Sequence, residues 1–99
     1  MATPLTLPSE ITIYVAAELR GPWLDWLARE AGNEAEAEAD GQAVEEIDGA
    51  GLQCLLSLAR SLEAREQCLR IRQPSVVLRQ ACARLGATHL LAPAAGVDA

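Results

Sequence analysis

Apolar residues alternate with polar or β-branched residues in two short stretches near the start of the chain. Leu5-Thr6-Leu7 and Ile11-Thr12-Ile13 have this pattern, and Pro8-Ser9 separates them. Because strand side chains point alternately to the two faces of a sheet, the pattern predicts two short strands with a break between them. The segment Cys68-Leu69-Arg70-Ile71-Arg72 predicts another strand later in the chain.

Apolar residues spaced by three and four positions predict three helices. In the first, which starts near Ala16, the apolar positions are Leu19, Trp23, Trp26 and Leu27. Gly21-Pro22 interrupts the pattern, so the helix either kinks at the proline or begins there, since proline suits the first turn of a helix. Gly32-Asn33 supplies a stop signal.

The second and third helices have clearer boundaries. The second, of about three turns, follows Gly49-Ala50-Gly51. Its apolar face comprises Leu52, Leu55, Leu56, Ala59 and Leu62. The third opens at Pro74-Ser75 and stops at Gly86, with Ser75 as its cap and Leu78, Ala81, Cys82 and Leu85 along one stripe. His89-Leu90-Leu91 then predicts a short strand or turn.

The segment from Glu34 to Asp40 gives two conflicting signals. Glutamate and alanine alternate strictly, which favours a strand, yet both residues prefer helices. Gly41 and the segment from Val44 to Asp48 leave little room for another packed helix. We therefore predict a weak strand.

The succession of strands and helices predicts a single α/β domain, with a mixed β-sheet and helices packed against it. The 99 residues suffice for one small core, and we expect residues 1–92 to form the domain and residues 93–99 a short tail. The apolar share of 51% excludes a disordered chain. The aromatic residues are Tyr14, Trp23 and Trp26, so the core must be aliphatic, with both tryptophans expected inside it.

Charge is unevenly distributed along this acidic chain, whose net charge is -6. Eight acids lie between Glu30 and Asp48, whereas six of the eight arginines lie between Arg60 and Arg84, and lysine is absent. The acidic run predicts a solvated surface or, alternatively, a patch for an arginine-rich partner. Such a chain would repel nucleic acid and anionic lipid. Since no signal peptide or membrane span is evident, we expect a cytoplasmic protein without direct membrane insertion.

The residues with potential chemistry are sparse. Cys54, Cys68 and Cys82 lack the short spacings of metal sites, so we expect reduced thiols and no metal. His89, the single histidine, has no nucleophile or acid at an informative spacing. We therefore expect no catalytic residue, no cofactor and no enzymatic activity.

The segment from Val44 to Gln53 predicts a strand end, a tight glycine turn and a helix start in succession. Asp48 precedes Gly49-Ala50-Gly51, which leaves a surface with few side chains beside the positive end of a helix. This surface could dock a partner, permit close packing of strand and helix, or belong to a phosphate cradle. The last interpretation lacks support, because a dinucleotide fingerprint needs glycine where Cys54 stands, and a P-loop needs a lysine.

Residues 7–19 and 44–56 resemble the STAS domain family, which comprises the anti-sigma-factor antagonists and their relatives. The run Asp48-Gly49-Ala50-Gly51-Leu52-Gln53 carries the resemblance most specifically, and Pro74-Ser75 also matches. The likeness extends from about Leu5 to Leu91. It implies a mixed sheet flanked by helices and a bacterial, non-enzymatic module for protein–protein interaction.

The resemblance also implies a docking surface that extends from Asp48 to Leu56. Partner-binding residues carried over from the family are Asp48, Gly49, Ala50, Gly51, Leu52 and Leu55. In partner-switching members, a serine or threonine directly after the aspartate is phosphorylated, and the added charge breaks the docking. Gly49 stands there and has no hydroxyl, so we expect no phosphorylation site; Ser57 and Ser61 are expected to be ordinary helix residues.

A second departure from the family concerns residues 35–39, where relatives carry large aliphatic side chains. Alanine at such buried positions could cost about 2 kcal/mol or more each. We therefore expect this segment to be loosely ordered, differently packed or covered by a partner.

Three hypotheses for function follow. The first is an anti-anti-sigma-factor-like regulator that binds an anti-sigma factor, a kinase or a chemotaxis-type signalling protein. The alternative is an MlaB-like accessory subunit that braces an ATPase of a lipid-transport ABC complex, where loss of the hydroxyl is more easily tolerated. The third, a nucleotide-binding sensor or enzymatic domain, has no catalytic residue in its support.

Overall fold

The structure is a computed structural model that describes residues 2–92. The tail predicted at residues 93–99 lies outside this range. In chain order the elements are β1 Leu5–Thr6, β2 Glu10–Ile11, α1 Ala16–Arg29, β3 Glu36–Asp40, β4 Glu46–Ile47, α2 Gly49–Glu63, β5 Cys68–Arg72, α3 Val76–Arg84 and a 3₁₀ turn at Thr88–Leu90. The predicted α/β class is confirmed.

The strands form two small sheets. In the first sheet β3 lies between β1 and β5, and Ala39 is opposite both Leu5 and Ile71. In the second, β2 pairs with β4, and Ile11 is opposite Ile47. Every strand pair within residues 2–92 is parallel, so the prediction of a mixed sheet is wrong in this respect. The physical reason is that α1 and α2 act as crossover connections, which return the chain to the same end of a sheet before the next strand begins.

The helix boundaries follow local signals. Helix α1 begins at Ala16 and continues through Pro22, which decides between the two predicted starts. After this helix the chain turns at Gly32, whose φ of 72° lies in the left-handed region that favours glycine. Helix α3 begins after Ser75, whose hydroxyl accepts a hydrogen bond from the backbone N–H of Leu78 at 3.1 Å, as the sequence predicted.

A cluster of buried apolar side chains joins the three helices and both sheets. Its largest fully buried members are mainly leucines and isoleucines, which confirms the prediction of an aliphatic core. Trp23 and Trp26 also belong to the cluster, as expected. Trp26 Nε1 donates to the backbone carbonyl of Thr3 at 2.6 Å, so its buried N–H has a partner.

The alternating segment forms β3, the central strand of the first sheet, and all five of its residues pair in register with β5. Ala37 and Ala39 are buried, whereas the glutamates point to the opposite, exposed face. The predicted strand is confirmed, since β5 pairs with all five of its residues and β1 pairs with Ala39 and Asp40. Ala37 and Ala39 belong to the domain's own core cluster, so residues of this chain cover these small side chains.

The glutamates of β3 form ion pairs with the arginines of β5. Arg72 Nη2 lies 2.9 Å from Glu38 Oε2 and 3.7 Å from Glu36 Oε1, and Arg70 Nε lies 3.4 Å from Glu36 Oε2. The parallel register places these residues side by side on one sheet face. Part of the acidic run is therefore paired with arginines of the same chain, which corrects its interpretation as a merely solvated surface.

Replacing Ala39 by valine should destabilise the domain by about 1–3 kcal/mol, because the added methyl groups overpack a fully buried site. Urea titration gives the free energy of unfolding. The control is Ala83→Val on the exposed face of α3, which should cost only about 0.5 kcal/mol through helix propensity. A gain in stability for Ala39→Val would reveal unfilled space above β3 and contradict this packing.

Candidate functional site

Asp48 links the start of α2 to the turn that follows β2. Its Oδ1 accepts a hydrogen bond from the backbone N–H of Gly51 at 2.7 Å, which caps the helix. Its Oδ2 accepts from the backbone N–H of Ile13 at 3.1 Å, across 35 positions of sequence. One carboxylate therefore fixes two chain segments to each other.

The same hydrogen bonds determine the protonation state of Asp48. The backbone N–H of Ile13, and after it that of Gly51, lowers the pKa of the carboxyl below its ordinary value of 3.8. Donors that bind the charged form stabilise it. Asp48 is thus ionised at neutral pH, and its two oxygens are occupied within the domain.

The two glycines after Asp48 have different roles. A Cβ at Gly49 would meet no atom within 4 Å, and the residue is exposed. A Cβ at Gly51 would instead collide with the backbone carbonyl of Ile11, because α2 begins directly against β2. Both glycines lie in the first turn of α2, so the predicted separate glycine turn is in fact the beginning of the helix.

The structure divides the six predicted partner-binding residues into two groups. Asp48, Gly49 and Ala50 are at least partly accessible. Gly51, Leu52 and Leu55 are buried in the core, where they cannot touch a partner directly. These three residues lie beneath the accessible ones and support them from the core.

Two exposed apolar residues that the sequence interpretation missed lie beside this site. Ile13 is 60% exposed and Tyr14 is 86% exposed, in the turn that Asp48 holds. The sequence predicts Ile13 in a strand, and this prediction is wrong because β2 ends at Ile11. The signal was available, since two adjacent apolar residues break the alternation of a strand. We call Ile13, Tyr14, Asp48, Gly49 and Ala50 the α2-start surface.

Carboxylates border the α2-start surface. Glu10 and Glu46 lie opposite each other in the β2–β4 pair, and Glu45, directly before Glu46, is exposed. The ion pairs found between residues 2 and 92 involve none of the three. Their charge is uncompensated by ion pairs, so the surroundings of the α2-start surface are negative.

The described part of the chain offers little other chemistry. Within it, no group of three or more histidine, cysteine, aspartate or glutamate residues could hold a metal ion. The three cysteines are free, and burial raises the pKa of the Cys82 thiol, which keeps it protonated as a small core residue. His89 is exposed. Among the helices between residues 2 and 92, none has the length and apolar character needed to cross a membrane.

Comparison with known proteins identifies one family. Residues 2–92 match the family described as Mlab, STAS domain. The matched range contains the whole α2-start surface. No curated protein and no solved structure matches the chain significantly.

Gly49→Ala and Gly51→Ala make the same chemical change two positions apart and should differ in effect. Gly49→Ala should be neutral or stabilise the domain by up to about 1 kcal/mol, because the site is open and alanine is the better helix former. Gly51→Ala should destabilise it by about 1–3 kcal/mol or more, because strand and helix must move apart. Chemical unfolding of both variants measures this, and equal effects would contradict the close contact at Gly51.

Asp48→Asn retains a capping side chain and removes only the charge. The pKa of Asp48 is lower in the folded state than in the unfolded state, so its negative charge stabilises the fold. This stabilisation is complete above the unfolded-state pKa. It is lost as the pH falls through the folded-state pKa. The stability difference between the native protein and Asp48→Asn should thus be largest near neutral pH and shrink below about pH 4. Urea unfolding at a series of pH values tests this; a difference independent of pH would contradict the role of the charge.

Proposed function

The chain belongs to the Mlab, STAS domain family, and on this premise we propose that it is an MlaB-like, non-enzymatic accessory subunit of a lipid-transport ABC complex. In this role it binds the ATPase subunit through the α2-start surface. Such a partner places the chain in the cytoplasm. The observation that carries the proposal is the exposed Gly49 at the head of α2, in a chain that matches this family over residues 2–92.

Gly49 favours a permanent contact over a switched one. In the partner-switching relatives that the sequence resembles, phosphate on a hydroxyl at this position breaks the docking. Glycine offers no acceptor, so two negative charges cannot be added at the start of α2. Ser57 and Ser61 are exposed on α2, but they lie two and three turns further along the helix. A structural subunit that stays bound to its ATPase needs no such switch.

The α2-start surface has the physical properties of a docking site. Tyr14 presents a large ring with a polar tip, and tyrosine is among the residues that contribute most to binding at interfaces. Asp48 holds the turn in place before binding, which lowers the entropy cost of association. The bordering glutamates favour a partner surface with arginine or lysine around an apolar pocket.

The signalling interpretation remains the second candidate, and its support is the resemblance of residues 7–19 and 44–56 to anti-sigma-factor antagonists. Its partner would be an anti-sigma factor, a kinase or a chemotaxis-type signalling protein. The missing hydroxyl at Gly49 counts against it, because phosphorylation is what releases the partner in that class. A nucleotide-binding sensor is less well supported, since Asp48 places a carboxylate at the helix start where a phosphate would sit.

Affinity purification of the tagged full-length chain from its native cells, followed by mass spectrometry, distinguishes the two candidates. We expect an ABC ATPase subunit together with its permease. Recovery of a kinase or an anti-sigma factor in their place would overturn the transporter proposal and favour the signalling one.

Calorimetry with the purified ATPase subunit then tests the surface. Gly49→Glu should weaken binding by about tenfold or more, because it adds a charge and bulk at the centre of the contact. Gly49→Ala is the matched control and should bind like the native protein, since its Cβ enters open space. Unchanged affinity for a folded Gly49→Glu variant would show that the partner binds elsewhere.

A further inference from the structure

A groove of about 220 Å³ runs between α1 and α2, outside the α2-start surface. Its walls are mainly apolar and come from Leu19, Trp23, Leu24 and Leu27 of α1 and from Cys54 and Leu58 of α2. We call it the α1–α2 groove. Leu24 is 47% exposed, and Leu19, Leu27 and Cys54 are partly buried, so apolar surface remains accessible to a partner.

The groove continues from the α2-start surface. At one end Asp48, directly before α2, bonds the turn that leads into α1. At the other end Arg65, just after α2, donates from Nη1 to the carbonyl of Leu27 at 2.7 Å. The two helices therefore run side by side in the same direction, and a partner seated at the α2-start surface has the groove directly beside it.

The charge of the groove differs from that of the rest of the molecule. The chain has fourteen acidic residues against eight basic ones, yet no acid lines the groove. The single charged residue in its lining is Arg20, and the ion pairs found between residues 2 and 92 do not include it. Ser57 and Ser61 add uncharged hydroxyls along α2. The apolar α1–α2 groove, with Arg20 as its one unpaired cation, is complementary to a partner segment that carries apolar side chains and a carboxylate.

The length of the groove suits a helix. Its α1 wall extends from Ala16 to Leu27, which corresponds to about 16 Å at the helical rise per residue. This length matches three turns of a helix, and an amphipathic helix binds such a groove through apolar residues at helical spacing.

We propose that the α1–α2 groove binds an amphipathic helix of the partner protein, with leucine-like side chains in the groove and an acidic residue facing Arg20. This inference rests on the proposed function for the identity of the protein that carries the helix. The chemistry of the helix follows from the groove itself, so it can be tested without that protein.

The probe is a pair of designed helical peptides of about fourteen residues, with leucines at helical spacing on one face. One peptide carries glutamate beside the leucines and the other carries lysine at the same positions. The ¹⁵N-labelled full chain is titrated with each, and the amide signals of residues 19–27 and 54–61 are followed by NMR. We expect the glutamate peptide to shift these signals and to bind about tenfold more tightly than the lysine peptide.

Charge reversal on the domain provides the matched control. Arg20→Glu should reverse the preference in favour of the lysine peptide. Arg29→Glu, on the same helix but outside the groove and paired with Asp25, should leave it within about twofold of the native value. Absence of binding by both peptides, equal binding, or a preference unaffected by Arg20→Glu would overturn the proposal. Shifts confined to other residues would also overturn it.

The two proposals fail in distinguishable ways. Loss of the peptide preference overturns the groove proposal and leaves the binding of an ATPase subunit intact. Absence of an ATPase subunit from the purified complex overturns the proposed function and leaves the peptide result standing.

Discussion

The contact between Gly51 and the carbonyl of Ile11 is the constraint on which the rest of the site depends. A helix can begin this close to a strand only where its first turn lacks a side chain, and Asp48 then bridges the two segments with one carboxylate. This arrangement fixes the start of α2 against β2 and the position of the turn at residues 12–14. The α2-start surface is therefore a consequence of one close backbone approach.

The acidic residues of the chain occupy two different structural environments. On the exposed face of β3, glutamates are neutralised by arginines of β5 in a ladder of ion pairs. Around the α2-start surface, Glu10, Glu45 and Glu46 lie outside the observed ion pairs. Arg70 and Arg72 thus compensate the glutamates of the sheet face, and uncompensated charge remains where we propose that a partner binds. Net charge alone could not separate these two regions.

Because residue 49 is glycine, this chain has the architecture of the family without the residue that regulates its partner-switching relatives. The cap, the close contact at Gly51 and the buried leucines of α2 are all present, although the residue that carries phosphate in partner-switching relatives is absent. We propose that the docking surface depends on backbone geometry, whereas a phosphorylation switch would need a hydroxyl at residue 49. Loss of the hydroxyl leaves the geometry intact, which is compatible with a permanently bound subunit.

The sequence by itself determined the α/β class, most of the local elements and the presence of a helix start near Gly49-Ala50-Gly51. These features depend on the short-range spacing of apolar residues, on capping residues and on glycines, all of which can be recognised from residues close together in the sequence. Only the tertiary structure decided that all described strand pairs are parallel, that Leu52 and Leu55 face the core, and that Ile13 and Tyr14 are exposed. It also decided that the glutamates of β3 find arginines some thirty residues away. Strand pairing, register and burial depend on which distant segments of the chain meet. Whether a side chain is buried or exposed is decided only by the segment that packs against its element.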